Sequence, residues 1–354
     1  MNAPLYEAVR KYALNKPLPF HMPGHKLGRG FPEDVRKELF SLDITEIPGM
    51  DNLHAPEGII REAQELAAKA FGAERTYFLV NGSSSGIHAM IMALCKPGDK
   101  LIVSRDCHKS VIGAMILAGV RPVYIVPEFN TDFAISGTVN VLKLARTIEL
   151  NPDAVGVLIT RPNYYGICSD IEQIVRIVHS HGMILMVDEA HGAHLSFGSC
   201  LPKGAMEADA DICVQSAHKT LPALTQGAYL HVKSSRVDIE RLEFFLDLLQ
   251  TTSPSYIIMS MLDVARCIMA EEGARRLKSL LAGINSLETL IDECHGLRLL
   301  KEEDILGGSL DKTRIVVNLK ELGRTGYETE KILRNIYNIQ VEMSDFYNIV
   351  CIAT

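Results

Sequence analysis

The segment Gln215-Ser-Ala-His-Lys-Thr-Leu sets a hydroxyl, an imidazole and an amine side by side, directly after the apolar run Asp211–Gln215. Read as a strand, that run delivers Ser216, His218 and Lys219 to its C-terminal end, where open α/β sheets bind their ligands. A desolvated amine there can form an imine with a carbonyl compound. The neighbouring hydroxyl and imidazole are donors suited to a phosphate. A solvated lysine in an ordinary surface loop is the competing reading of the same residues.

Three further segments repeat this arrangement. In Val187-Asp-Glu-Ala-His-Gly-Ala-His, Asp188 follows the strand-like run Met183–Val187, and His191 lies three residues on. A carboxylate at a strand end can pair with a protonated pyridine nitrogen and strengthen a heteroaromatic electron sink; a helix N-cap acid and a loop histidine are the plainer readings. Asn81-Gly-Ser-Ser-Ser-Gly joins a strand to a helix, with Ser83, Ser84 and Ser85 where free N–H groups and the positive dipole end would meet a phosphate. It is neither a P-loop nor a dinucleotide fingerprint, and a serine-rich turn also caps helices with no ligand present. His108, in Asp106-Cys-His-Lys-Ser, opens the helix after Lys100–Ser104 and could stack on a flat ring; an N-terminal helix residue of no special role is the alternative. Jointly, a phosphate cradle, a ring stacker, an acid and a lysine at four strand ends fit one ligand.

The elements that must position these residues follow from periodicity. Six prolines (Pro4, Pro17, Pro19, Pro23, Pro32 and Pro48) make most of the first 55 residues an arm, with one short helix at Tyr6–Leu14. From Glu57 onward, helical stretches alternate with short apolar runs at Thr76–Val80, Lys100–Ser104, Arg121–Val126, Ala154–Thr160, Met183–Val187, Asp211–Gln215 and Gly227–Val232. That alternation predicts an α/β fold, a mainly parallel sheet with helices on both faces. Helical stretches dominate from Arg236 to Cys294. Lys312–Leu319, Tyr327–Tyr337, Ile339–Met343 and Tyr347–Ala353 then read as strand, helix, strand, strand, a small α+β domain. The expected division is an arm at 1–55, a large domain at 56–265 and a small domain at 266–354. The sequence stops at an apolar strand, which would leave an exposed edge.

The chain has 354 residues and a net charge of −7, which gives no electrostatic reason to expect nucleic acid. Eight scattered cysteines without a CxxC pair read as reduced thiols, hence a cytoplasmic protein. No apolar run is long enough to cross a bilayer, and no metal site is expected.

These segments resemble the ornithine/lysine/arginine decarboxylase family of fold type I pyridoxal-phosphate (PLP) enzymes. Pro19-Phe-His-Met-Pro-Gly-His-Lys, Thr45-Glu-Ile-Pro-Gly-Met-Asp-Asn-Leu, Phe78-Leu-Val-Asn-Gly-Ser-Ser-Ser-Gly, Cys107-His-Lys-Ser, Pro162-Asn-Tyr-Tyr-Gly, Asp188-Glu-Ala-His-Gly-Ala-His and Ser216-Ala-His-Lys-Thr-Leu carry the resemblance. It implies decarboxylation of a basic L-amino acid, arginine slightly ahead of lysine or ornithine, with pyridoxal 5'-phosphate held by Lys219 as a Schiff base. Asp188 would keep the pyridine nitrogen protonated and His108 would stack on the ring. Ser84, Ser85, Ser216 and His218 would take the phosphate, and His191 would lie beside the cofactor. His21–Lys26 would reach toward an active site near the interface of a homodimer. The family also carries a Tyr-Pro-Pro-Gly-type segment and a Pro-Gly-Glu segment beyond the region matched here, which implies an incomplete, C-terminally truncated small domain. Two rivals share Lys219 and Asp188: an aminotransferase, which would usually bind the α-carboxylate through an arginine of the small domain, and a PLP-binding homologue without turnover.

Overall fold

A computed structural model describes residues 4–354. Seven of its apolar runs pair into one sheet, in the order Arg75–Leu79, Ala228–Val232, Ile212–Gln215, Ile184–Asp188, Ala154–Thr160, Lys100–Ser104 and Arg121–Ile125. Pairing is parallel except at Ala228–Val232, which runs antiparallel to both neighbours. Two reversals cancel, so Arg75–Leu79 points the same way as Ile212–Gln215. The C-terminal ends of Arg75–Leu79, Lys100–Ser104, Ile184–Asp188 and Ile212–Gln215 therefore open on one edge of the sheet. That edge receives all four of the segments singled out above.

The period-2 geometry of a strand sends alternate side chains to opposite faces. Leu101, Val103, Met186 and Val214 join the core beneath the helices Gly82–Leu94, Lys109–Ala118 and Ile239–Leu249. Ile102, Leu185, Val187 and Cys213 join a second core beneath Val141–Glu149 and Ile171–Ser180. Both of the latter helices start at a side-chain cap, Asn140 and Asp170, which satisfies amides left free at a helix start. The expected α/β fold is the one observed.

The small sheet has the order Arg298–Leu299, Arg314–Asn318, Asn348–Ile352 and Met343–Ser344. One face, with Ile315, Val317 and Ile349, packs on the 37-residue helix Tyr256–Asp292. The other, with Val316 and Val350, packs on Phe133, Ile135 and Ile167 of the large sheet's insertions. The expected exposure of the last strand is corrected here: Asn348–Ile352 lies between two antiparallel partners, and Val350 is fully buried. The division expected at residue 265 falls inside Tyr256–Asp292, a single unbroken helix packed against both sheets.

Two local readings also differ. Gly82–Ser85 is no loop but the first turn of Gly82–Leu94. Ile339–Met343 breaks at Glu342, and its first half, Ile339–Val341, pairs in parallel with Leu18–Phe20 of the arm. Sequence reading missed that pairing because the two strands lie more than 300 residues apart and are three residues long.

Candidate active site

Lys219 sits in the short helix Ala217–Thr220, which Ser216 joins directly to the strand Ile212–Gln215. Its Nζ lies 3.0 Å from His191 Nε2. Burial pushes the ammonium pKa down, and the Asp188 carboxylate opposes that shift. Asp188 closes the adjacent strand Ile184–Asp188 and is buried. Burial pushes its pKa up, with Lys219, the Ala190 amide and His108 pulling the other way. Among the described residues, only the Ala190 N–H donates to this carboxylate, at 3.2 Å. A buried carboxylate so thinly partnered is suited to a cationic N–H from a ligand.

The cradle is built from two strand ends. Ser216 Oγ donates to Ser83 Oγ at 2.8 Å, tying the Lys219 segment to the helix Gly82–Leu94. Asn81 makes no side-chain cap to that helix, so its first-turn amides stand free for an anion. Gly82 has a φ of +78°, and its backbone turns sharply into the helix. Ser84 is exposed at this end, whereas Ser85 is buried and donates its hydroxyl to the Gly82 carbonyl. His218 Nδ1 lies 3.1 Å from the Gly227 carbonyl and so carries the proton. The neutral ring then offers an acceptor at Nε2, and it donates to a phosphate only when protonated. Burial lowers its pKa.

His108 caps Lys109–Ala118 through Nδ1, which accepts from the Ser110 N–H. Burial lowers its pKa, with the Asp188 charge opposing that shift and the Lys219 charge adding to it. His191 is buried (6% exposed) and held far toward the neutral form by burial, then by the Lys219 and Arg314 charges. The Tyr164 ring meets it edge-on, at 4.9 Å between centroids. The structure thus brings together the sequence-expected Lys219, Asp188, His108 and His191, and joins Ser83 to Ser216. Among the described residues, no group of three or more His, Cys, Asp or Glu is arranged to hold a metal.

Three residues escaped the sequence reading, and a fourth, Lys26, belongs to the His21–Lys26 segment expected near the site. Arg314, at the start of a small-sheet strand, is 1% exposed and donates NH2 to His191 Nδ1 at 3.0 Å and to the His191 carbonyl at 3.3 Å. Its Nε and NH1 are buried without a partner among the described residues. Glu342 accepts from Tyr164 Oη at 2.6 Å and from the Met22 N–H at 2.8 Å. Glu189 turns away from the crevice to Gln215 Nε2 and the Ala205 N–H, and burial pushes its pKa up to about 7. Lys26 donates to the carbonyls of His21 and Ile352, and its pKa falls to about 8 through burial and then the Arg314 charge. For Arg314 the sequence offered only its place at the head of the apolar run Ile315-Val-Val, a place that a surface arginine can equally hold.

The arm closes the site from below. Gly24 donates its N–H to the His218 carbonyl at 2.8 Å. A Cβ on Gly24 would stand 2.6 Å from the Leu221 carbonyl oxygen, so only glycine allows this approach. His21–Lys26, expected near the active site, docks on the Lys219 segment of its own chain.

This sheet, with a lysine, an acid and an uncapped helix at neighbouring strand ends, has the fold of type I PLP enzymes. The lysine decarboxylase of Francisella novicida matches it with a TM-score of 0.80 at 24% identity, over 97% of this chain and 56% of that one. An alanine–glyoxylate aminotransferase of Nostoc matches at 0.73 and 16% identity, over 95% of this chain and 90% of that one. More specifically, the chain belongs to the Orn/Lys/Arg decarboxylase family, whose major-domain model matches residues 3–312. The arginine decarboxylase of Bacillus subtilis is 41% identical over 99% of this chain and 73% of its own length. That of Bacillus cereus is 40% identical over 99% and 78%.

Proposed function

We propose that the chain binds pyridoxal 5'-phosphate at Lys219 and decarboxylates a basic L-amino acid, arginine before lysine or ornithine. One observation carries the reading: the half-buried Lys219 amine faces His191 at 3.0 Å beside the buried, thinly partnered Asp188. The relatives named arginine decarboxylase favour arginine. When bound, the cofactor supplies an electron sink for the bond broken at Cα.

The chain's own residues do the rest. Lys219 would hold the cofactor covalently, through the amine that faces His191. Asp188 would pair with a protonated ring nitrogen, and His108 would supply a flat ring to stack on the cofactor. Ser83, Ser84, Ser85, Ser216 and the free amides of the Gly82–Leu94 helix take the phosphate, with His218 joining them in its protonated form. Burial of His191, Asp188 and Arg314 keeps water from the crevice, which favours loss of a charged carboxylate. His191 or Lys219 returns a proton to Cα. The chain works as a homodimer, a reading supported by Phe40, Ile44 and Ile47, which stand open to solvent on the arm. Eight unpaired thiols suit a reducing cytoplasm.

Transamination is a second reading, favoured by the two unpartnered nitrogens of Arg314, Nε and NH1. They could grip an α-carboxylate. Borohydride reduction of the cofactor-loaded protein should leave a pyridoxyl group on Lys219 in peptide maps. Mass spectrometry with arginine, lysine and ornithine should find amine and CO₂. A keto acid instead would establish transamination, and an adduct on another lysine would reject the site.

A further inference from the structure

We infer that Arg314 is a positioning residue: it fixes the tautomer of His191 and thereby holds Lys219 as an unprotonated amine. This rests on the reading above in one respect, the assignment of Lys219 as the carbonyl-reactive group. A guanidinium has five N–H donors and no acceptor. Arg314 NH2 stands 3.0 Å from His191 Nδ1, so Nδ1 must accept. A neutral imidazole that accepts at Nδ1 carries its proton on Nε2. That Nε2 stands 3.0 Å from Lys219 Nζ. An N–H pointing at an amine requires a lone pair there, and an ammonium has none. Arg314, His191 and Lys219 therefore have one mutually consistent assignment, with donation running from the arginine through the ring to the lysine.

The surroundings hold that assignment in place. Burial opposes protonating the ring, which would also set a second positive charge directly against that of Arg314. His108 and His218 add to the positive side, while Asp188 and Glu342 are the acids whose charges reach Lys219. Tyr164 packs edge-on against the ring and gives its own hydroxyl to Glu342, leaving the imidazole nitrogens to Arg314 and Lys219. Gly166 makes the seat for the arginine: a Cβ there would lie 2.6 Å from Arg314 Cβ. The guanidinium enters from the small sheet and the imidazole from the large one. Lys219 is thus set as a nucleophile only where the two meet.

The test is read on cofactor-free protein by two methods. Nitrogen-15 NMR of histidine-labelled protein, with His191 assigned by its loss in His191→Gln, should show the Nε2–H tautomer between pH 6 and 8. Reductive methylation with ¹³C-formaldehyde, quantified on the Lys219 peptide, should proceed at neutral pH. In Arg314→Met the ring should shift toward Nδ1–H and methylation of Lys219 should fall about tenfold, a shift of about one pH unit. Arg314→Lys, still a pure donor, should restore both. An Nδ1–H tautomer in the unmodified protein overturns the inference, as does unchanged methylation in a folded Arg314→Met. The tautomer measurement needs no variant at position 314, so it decides even if Arg314→Met fails to fold. A borohydride adduct on a different lysine would sink the functional reading and leave the tautomer result standing.

Discussion

At the scale of single residues, Lys219 and Asp188 were legible because each follows an apolar run that could only be a strand. The strand supplies the position, and the residue type supplies the chemistry. Arg314 was not legible, because its burial comes from contact with His191, 123 residues away. No local pattern distinguishes an arginine that heads an edge strand from one that enters an active site. Asp188 yields the sharpest residue-level expectation. Asp188→Asn should still hold the cofactor on Lys219 but lose at least about a hundredfold in turnover, since about 1.4 kcal/mol goes with each pKa unit of lost support for the ring proton. Absorbance of the bound cofactor and steady-state CO₂ release measure the two effects separately. Wild-type turnover in the variant would remove Asp188 from this role.

Among the elements, strands and helices of the large sheet were read nearly to the residue, since strands buried on both faces appear as short continuous apolar runs set between helical stretches. The arm was read poorly. Its prolines correctly excluded long elements, yet they said nothing of the strand Leu18–Phe20, whose partner Ile339–Val341 comes from the far end of the chain. Gly24 makes the arm's docking testable. In Gly24→Ala the new methyl would press on the Leu221 carbonyl, at a cost of about 1–3 kcal/mol. The arm should lift from the Lys219 segment, and limited proteolysis between residues 15 and 30 should accelerate. Cleavage at the wild-type rate, with the variant folded, would mean that the close approach carries no weight.

For the whole molecule, the last strand was expected to lie open because sequence shows a strand's composition and not its neighbours. Arg314–Asn318 and Met343–Ser344 flank it, and both sides of the small sheet are covered. Val350 is 0% exposed, between the small sheet and the Phe133–Ile135 insertion. Val350→Asp would bury an unpaired charge and should lower unfolding free energy by about 3 kcal/mol or more. Urea denaturation should show the drop. A midpoint within error of the parent's would place Val350 at a yielding surface rather than in a core.

The helix Tyr256–Asp292 has 37 residues, which at 1.5 Å of rise each makes a rod of about 55 Å. Its first turns are buried in the core with Phe78 and Tyr229, and its last turns in the core with Ile315 and Ile349. Mechanically it is a lever whose two ends are embedded in different sheets. A tilt of about 5° about its midpoint would carry either end through about 2 Å, given that length. Arg314 and His191 touch at 3.0 Å, so such a swing would separate them. Small rotations at one end of the rod would therefore be felt at the Arg314–His191 contact, on which the inferred state of Lys219 rests.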